Sequence, residues 1–196
     1  MSVNIIQQLE KSMNIDPLIK MDPNTQDVPE STVLTTSQKI FQAIIPAVMA
    51  GLYKAGKSEE GIQILANDPL VQDWSFKLFG ENKTRLLENI ARYTSISADE
   101  TESKFNSIAT NAVSQIRDAV KDKDTTELKS LMASQRDNVL VYLPASLELG
   151  DILQDETLDD RTNKMEGPIS SLLRKIQTGF SGNETAEDIA DKAENK

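Results

Sequence analysis

The sequence predicts an all-α protein, an irregular bundle of about seven to nine helices with a flexible acidic C-terminal tail. Apolar residues recur at steps of three and four along most of the 196-residue chain, the period of a one-sided helix. Polar caps such as Thr35, Ser97 and Thr125 stand immediately before several of these stripes, where a side-chain oxygen satisfies the first orphan amides of a helix. Only 137–143, with Val139, Leu140, Val141 and Leu143 before Pro144, also reads as a strand. Helix is preferred there, because a lone short strand leaves both edges unpaired.

Val3, Ile6, Leu9 and Met13 place the first helix over 3–15, stopping before Pro17, which disfavours helical backbone in the residue preceding it. Residues 16–34 form a loop, with Pro17, Pro23 and Pro29 among Asp22, Asn24 and Asp27. Phe41, Ile44, Ile45, Val48, Leu52 and Ala55 then define the clearest helix, capped by Thr35 or Thr36 and stopped at Gly56. Pro46 lies inside it and lacks an amide proton, so a kink or break is expected there. Ala47, Ala50 and Gly51 offer a small-residue face for close helix packing.

A short helix starts at Ser58 with Glu59 and Glu60 and runs through Ile62 and Leu65. Pro69 suits the first turn of another that reaches Trp74 and Phe79. Leu86, Leu87, Ile90 and Tyr93 carry the next stripe. Ser97 with Asp99 and Glu100 opens a long helix through Phe105, Ile108, Ala112, Ile116 and Ala119. Thr125 or Thr126 begins a segment with Leu128, Leu131 and Met132. Residues 146–153 form an apolar bend, and 155–163 a polar loop. Pro168 starts a last helix with Ile169, Leu172, Leu173, Ile176 and Phe180. The organisation expected is a single helical domain over 1–180, divisible into 1–80 and 81–180, with a disordered acidic tail over 181–196.

Two stretches align as a degenerate internal repeat. Ile5, Ile6, Leu9 and Ile15 match Leu86, Leu87, Ile90 and Ile96; Phe41, Ile44, Val48, Leu52 and Ala55 match Phe105, Ile108, Ala112, Ile116 and Ala119. The proline loop is then an insert in the first copy. Any two amphipathic helices agree at their apolar positions, so the alignment alone does not separate duplication from coincidence.

The chain contains no His and no Cys, which removes thiol nucleophiles, imidazole bases, Ser-His-Asp relays and tetrahedral zinc sites. Its 31 acidic and 21 basic residues give a formal charge of -10, so phosphate backbones are repelled on average and nucleic acid is not an expected partner. The longest apolar run, Ala43 to Leu52, contains Pro46 and falls short of the ~20 residues a membrane span needs. Residues 1–14 carry Glu10 and Lys11 and lack a basic start before an apolar run, so a cytoplasmic location is expected.

The segment from Glu30 to Gly56, a polar cap followed by a helix with the internal step Ile45, Pro46, Ala47 and the small-residue turn Ala50, Gly51, Leu52, resembles the YidB-like family of uncharacterised bacterial proteins. The resemblance covers 1–56 and recurs over 84–120, where Thr110 stands in place of Pro46. It implies an all-helical fold and no assigned activity, and it supplies no catalytic residue.

Among candidate sites, 155–166 has the length of a calcium loop, with Asp155, Thr157, Asp159, Asn163 and Glu166 at oxygen-ligand positions. Asp160 stands where the tight turn demands glycine, so a solvated acidic loop is the better reading. The triplet Gly56, Lys57, Ser58 lacks the upstream glycine and strand of a phosphate loop. Trp74, Phe76 and Phe79 read as core, with an exposed anchor as the alternative. No catalytic, cofactor or metal residue is assigned. The expected function is a non-catalytic interaction or scaffold role with a protein partner or a second copy. The alternatives are a small apolar ligand or lipid tail held between helices, and a hydrolase using paired carboxylates.

Overall fold

A computed structural model describes residues 3–158 apart from 23–24, 26, 30, 68–70, 121–123 and 156–157. By its internal contacts the chain divides into Met1–Asp159 and Asp160–Lys196. The helix expected from Pro168 and the tail 181–196 lie outside the described residues.

The described residues are helical and contain no strand. In order they form α1 (Ile5–Ser12), α2 (Thr36–Ala55), α3 (Glu59–Asn67), α4 (Trp74–Phe79), α5 (Lys83–Thr94), α6 (Ala98–Ala119), α7 (Thr125–Ser134), α8 (Arg136–Leu140) and α9 (Leu149–Leu153). Short 3-10 turns at Gly80–Asn82 and Ala145–Leu147 join α4 to α5 and α8 to α9.

Helix α2 is the axial post, with everything from Gln42 to Tyr53 buried. Thr35 caps it by a full reciprocal box: its hydroxyl accepts the Gln38 amide, and Gln38 Oε1 accepts the Thr35 amide at 2.9 Å. The helix runs through Pro46 without a break. The proline forfeits one backbone bond, but each neighbouring Ile or Leu sealed from water contributes ~1.5–3 kcal/mol, and the sum holds the helix across the gap. At Gly51 α4 comes close: a Cβ there would stand 2.8 Å from a Phe79 ring carbon and 3.2 Å from Leu78 Cβ. The small-residue face read from the sequence thus receives a helix.

Several boundaries differ from expectation. Helix α1 spans Ile5–Ser12, because Asn4 caps it and Asn14 takes a left-handed φ of 50°. Helix α4 starts at Trp74 rather than at Pro69; Asp73 caps it, and Val71 and Gln72 precede it as non-helical residues. Asp124, one residue before the expected Thr125, caps α7. The apolar bend at 146–153 resolves into a 3-10 turn and α9.

Helices α2 and α6 pack on each other, and several of the contacts around them correspond in pairs, although α2 also meets α3 and α4. Helix α1 lies on α6 as α5 lies on α2. Helix α3 touches α6 as α7 touches α2, α4 lies on α6 as α8 lies on α2, and α3 meets α7. Two buried amides join distant segments. Gln135 accepts the Ile5 amide at 3.0 Å and donates to the Val3 carbonyl at 2.8 Å, and Gln42 donates to the Tyr142 carbonyl at 3.1 Å.

Candidate functional site

Between α1 and α2, the backbone at Leu18, Ile19 and Met21 forms a strap tied to the helical body. The Leu18 amide donates to Glu10 Oε1 at 2.8 Å, and the Ile19 amide donates to Gln42 Oε1 at 2.9 Å, while Gln42 Nε2 donates back to the Ile19 carbonyl. The Met21 amide reaches the Val141 carbonyl at 2.9 Å. This places the strap against the first turns of α2 without filling the space beneath it.

The result is a cleft of about 220 Å³. Its apolar wall is Ile15, Leu18, Ile19, Leu34 and Phe41, and its polar rim is Asn14, Asp16, Thr35, Ser37, Gln38 and Gln42. Phe41 is half-buried, whereas Phe105, which the sequence alignment sets opposite it, is fully buried. The Asp16 carboxylate accepts from Gln38 Nε2 at 3.2 Å and stands exposed on the rim.

The charged clusters elsewhere form ion pairs. Lys83 sits between Asp73 at 2.7 Å and Glu102 at 2.6 Å, and both carboxylates raise its pKa. Burial pushes the Asp73 carboxyl up, but the Lys83 ammonium, the Ser75 hydroxyl and the Phe76 amide outweigh it and hold it at about 2. Arg85 likewise bridges Glu148 and Asp151, each at 2.7 Å. Each pair of acids therefore encloses a cation. A hydrolytic pair needs its carboxylates facing an open substrate site, one of them with a raised pKa. Burial raises the Tyr93 hydroxyl to about 12, helped by the Asp27 carboxylate.

The other sequence candidates are distributed as follows. Trp74 and Phe79 are core residues, and Phe79 meets the Phe105 ring edge-on at a centroid distance of 5.8 Å. Phe76 departs from the expected core role: it is 58 % exposed, because a six-residue helix cannot turn three rings at positions 1, 3 and 6 to one face. Lys57 of the Gly56, Lys57, Ser58 triplet pairs with Asp155 at 2.6 Å and lies over the Tyr53 ring at 4.4 Å. Asp155 is thus drawn to the helical body, and the remainder of the calcium-loop candidate, apart from Leu158, lies outside the described residues. Among the described residues no group of three acids could hold a metal ion, and no helix is long and apolar enough to cross a membrane.

The cleft was missed in the sequence because it depends on pairing across distance: Gln42 reads as a polar intrusion in an apolar helix, and nothing local joins it to Ile19. No protein-family model, curated protein or solved structure matches the chain.

Proposed function

We propose that this protein is a non-catalytic interaction protein that receives a segment of a partner in the cleft at the start of α2. The observation that carries the reading is the cleft's size and lining together. About 220 Å³ lies below the ~300–1,000 Å³ typical of sites that engulf a small molecule, yet suits one or two side chains of a partner. An apolar wall under a rim of hydroxyl and amide groups suits a side chain entering from a polypeptide whose backbone remains at the surface. The apolar-ligand alternative needs an inter-helix cavity, whereas this cleft lies between a loop and a helix N-terminus.

The matched packing of α1–α4 and α5–α8 around the α2–α6 pair supports a further part of the proposal, that the two halves derive from one helical unit by duplication. Its resemblance to YidB-like proteins belongs with this reading and adds no activity to it. Placing a photoreactive amino acid at Ser37, which is exposed on the cleft rim, and at Gln63, which is exposed on α3, tests the functional reading in lysate of the source cells. The reading predicts a discrete cross-linked protein from Ser37 and none from Gln63. Identical products from both positions, or none from either, would overturn it.

A further inference from the structure

We infer that the occupant of the cleft is a partner segment presenting an aromatic side chain beside a Lys or Arg, with the aromatic ring seated edge-on against Phe41. The inference rests on the interaction reading above and adds the chemistry of the partner. It comes from comparing two positions that the repeat alignment makes equivalent. In the second half, Phe105 is sealed: the Phe79 ring of α4 stands on it at 5.8 Å and 81°, and Phe105 is 0 % exposed. In the first half, Phe41 has a cleft in front of it.

The surroundings of the two rings correspond as well. Gln42 and Asn106 fall at equivalent positions, the residue directly after Phe41 and Phe105, and each accepts an amide from the segment crossing it. Gln42 takes the Ile19 amide at 2.9 Å, and Asn106 takes the Ser75 amide at 3.0 Å. Gln38 and Glu102, likewise equivalent, each bind the polar group of a neighbouring segment, Asp16 at 3.2 Å and Lys83 at 2.6 Å. Asn14 and Ser95, which end the preceding helices, both adopt left-handed backbone, with φ of 50° and 62°. The two sites thus share a cradle. The difference is the cover: α4 brings a ring to Phe105, while the strap brings Ile15 and Leu18 to the wall of the cleft and leaves it open.

An aromatic pair meeting edge to face gains ~0.5–1.5 kcal/mol beyond the area it buries, which an aliphatic side chain does not supply. Charge selects the neighbouring group. The Asp16 carboxylate is exposed on the rim, where it accepts from the neutral Gln38 amide, and the chain as a whole carries a formal charge of -10. The second half shows the same preference, because Lys83 is the cation held by Asp73 and Glu102 beside the Phe79–Phe105 pair. An approaching cation is favoured and an approaching carboxylate repelled.

The probe is a synthetic peptide with this chain's own sequence from Ser75 to Arg85, which carries Phe79 with Lys77, Lys83 and Arg85 against the single acid Glu81, titrated into the isotope-labelled full chain and read by NMR. Saturable shifts are expected at Ile15, Leu34, Gln38 and Phe41. A peptide with Phe79→Leu is expected to bind about threefold to tenfold more weakly. Asp16→Asn in the protein is expected to weaken binding and flatten its salt dependence. Phe41→Leu, conservative at a half-buried position, removes the preference for Phe79 over leucine in the peptide while the shifts persist. Absence of shifts at the cleft, shifts confined to Phe105 and Asn106, or equal affinity for the Phe79→Leu peptide would each overturn the inference. If Ser37 still cross-links a partner in lysate in that case, only the aromatic inference falls. If Ser37 captures nothing either, the interaction reading falls with it.

Discussion

Replacing Gly61 with alanine is expected to destabilise the protein, although alanine is the better helix former by ~1 kcal/mol. Helix α3 starts directly off the last turn of α2: the Ser58 amide donates to the Ala55 carbonyl at 3.1 Å, and Ser58 Oγ accepts the Gly61 amide at 3.0 Å. A Cβ on Gly61 would collide with the Ala55 carbonyl oxygen and stand 2.6 Å from its carbon and 2.9 Å from Ala55 Cα. These atoms are backbone, so no side chain can swing aside and α3 must shift away from α2, drawing Ile62 and Leu65 out of sites where both are 0 % exposed. Overpacking of this kind costs ~1–3 kcal/mol, occasionally more. Because the collision is with backbone, the cost falls in the upper part of that range, ~2–3 kcal/mol; set against the propensity gain of ~1 kcal/mol, the net loss is about 1–2 kcal/mol, or roughly 2–8 °C in Tm at ~2–4 °C per kcal/mol. Urea and thermal unfolding followed by circular dichroism measure it. Gln63→Ala, at an exposed position on the same helix, serves as the control and is expected within about 0.5 kcal/mol of the parent. A Gly61→Ala protein as stable as the parent would refute the close-approach argument.

The remaining predictions concern the buried amides, the rings and acid. Gln135→Ala leaves the Ile5 amide and Val3 carbonyl without their partner; a loss of ~1–3 kcal/mol is expected, with amide exchange accelerated in α1, and unchanged α1 protection would contradict it. Phe105→Ala is expected to cost ~3–5 kcal/mol and Phe76→Ser less than about 0.5 kcal/mol; similar urea midpoints for the two would undo the assignment of buried and exposed rings. The folded pKa of Asp73 lies at about 2, below its ordinary 3.8, so the unfolded chain binds more protons between these values and stability falls as pH drops from 3.8 through 2. Its side chain is 41 % exposed, so screening trims the effect to about 1 kcal/mol. Asp73→Asn, which can still cap α4, is expected to lose that pH dependence, and an unchanged acid-unfolding curve would count against it.

What the sequence made legible was the local part of the structure. The stripes of α2 and α6 and the caps at Thr35 and Ser97 depend on residues within one or two turns of each other, and the structure reproduces them. The start of α4 was misplaced because proline at a helix start and aspartate at a cap are competing local signals, and Asp73 gains from partners that no local pattern reveals: Lys83 and Ser75. The same reason hid the roles of Gln42 and Gln135. Each reads as a polar defect in its helix, and each is explained by a backbone 23 to 132 residues away. The cleft borrows Thr35, Phe41 and the loop after α1 from what the sequence shows, but the pairing of Gln42 with Ile19 that brings them together is distant and was not visible in the order of residues.

The amide of Gln135 has a consequence for how this protein is made. It clasps the backbone at Val3 and Ile5 across 132 and 130 residues, so a nascent chain that has emerged only as far as α6 still lacks the side chain that pairs with the start of α1. Synthesis from the N-terminus thus leaves α1 waiting on the arrival of α7. Any fragment that stops short of that glutamine carries an N-terminal helix free to fray.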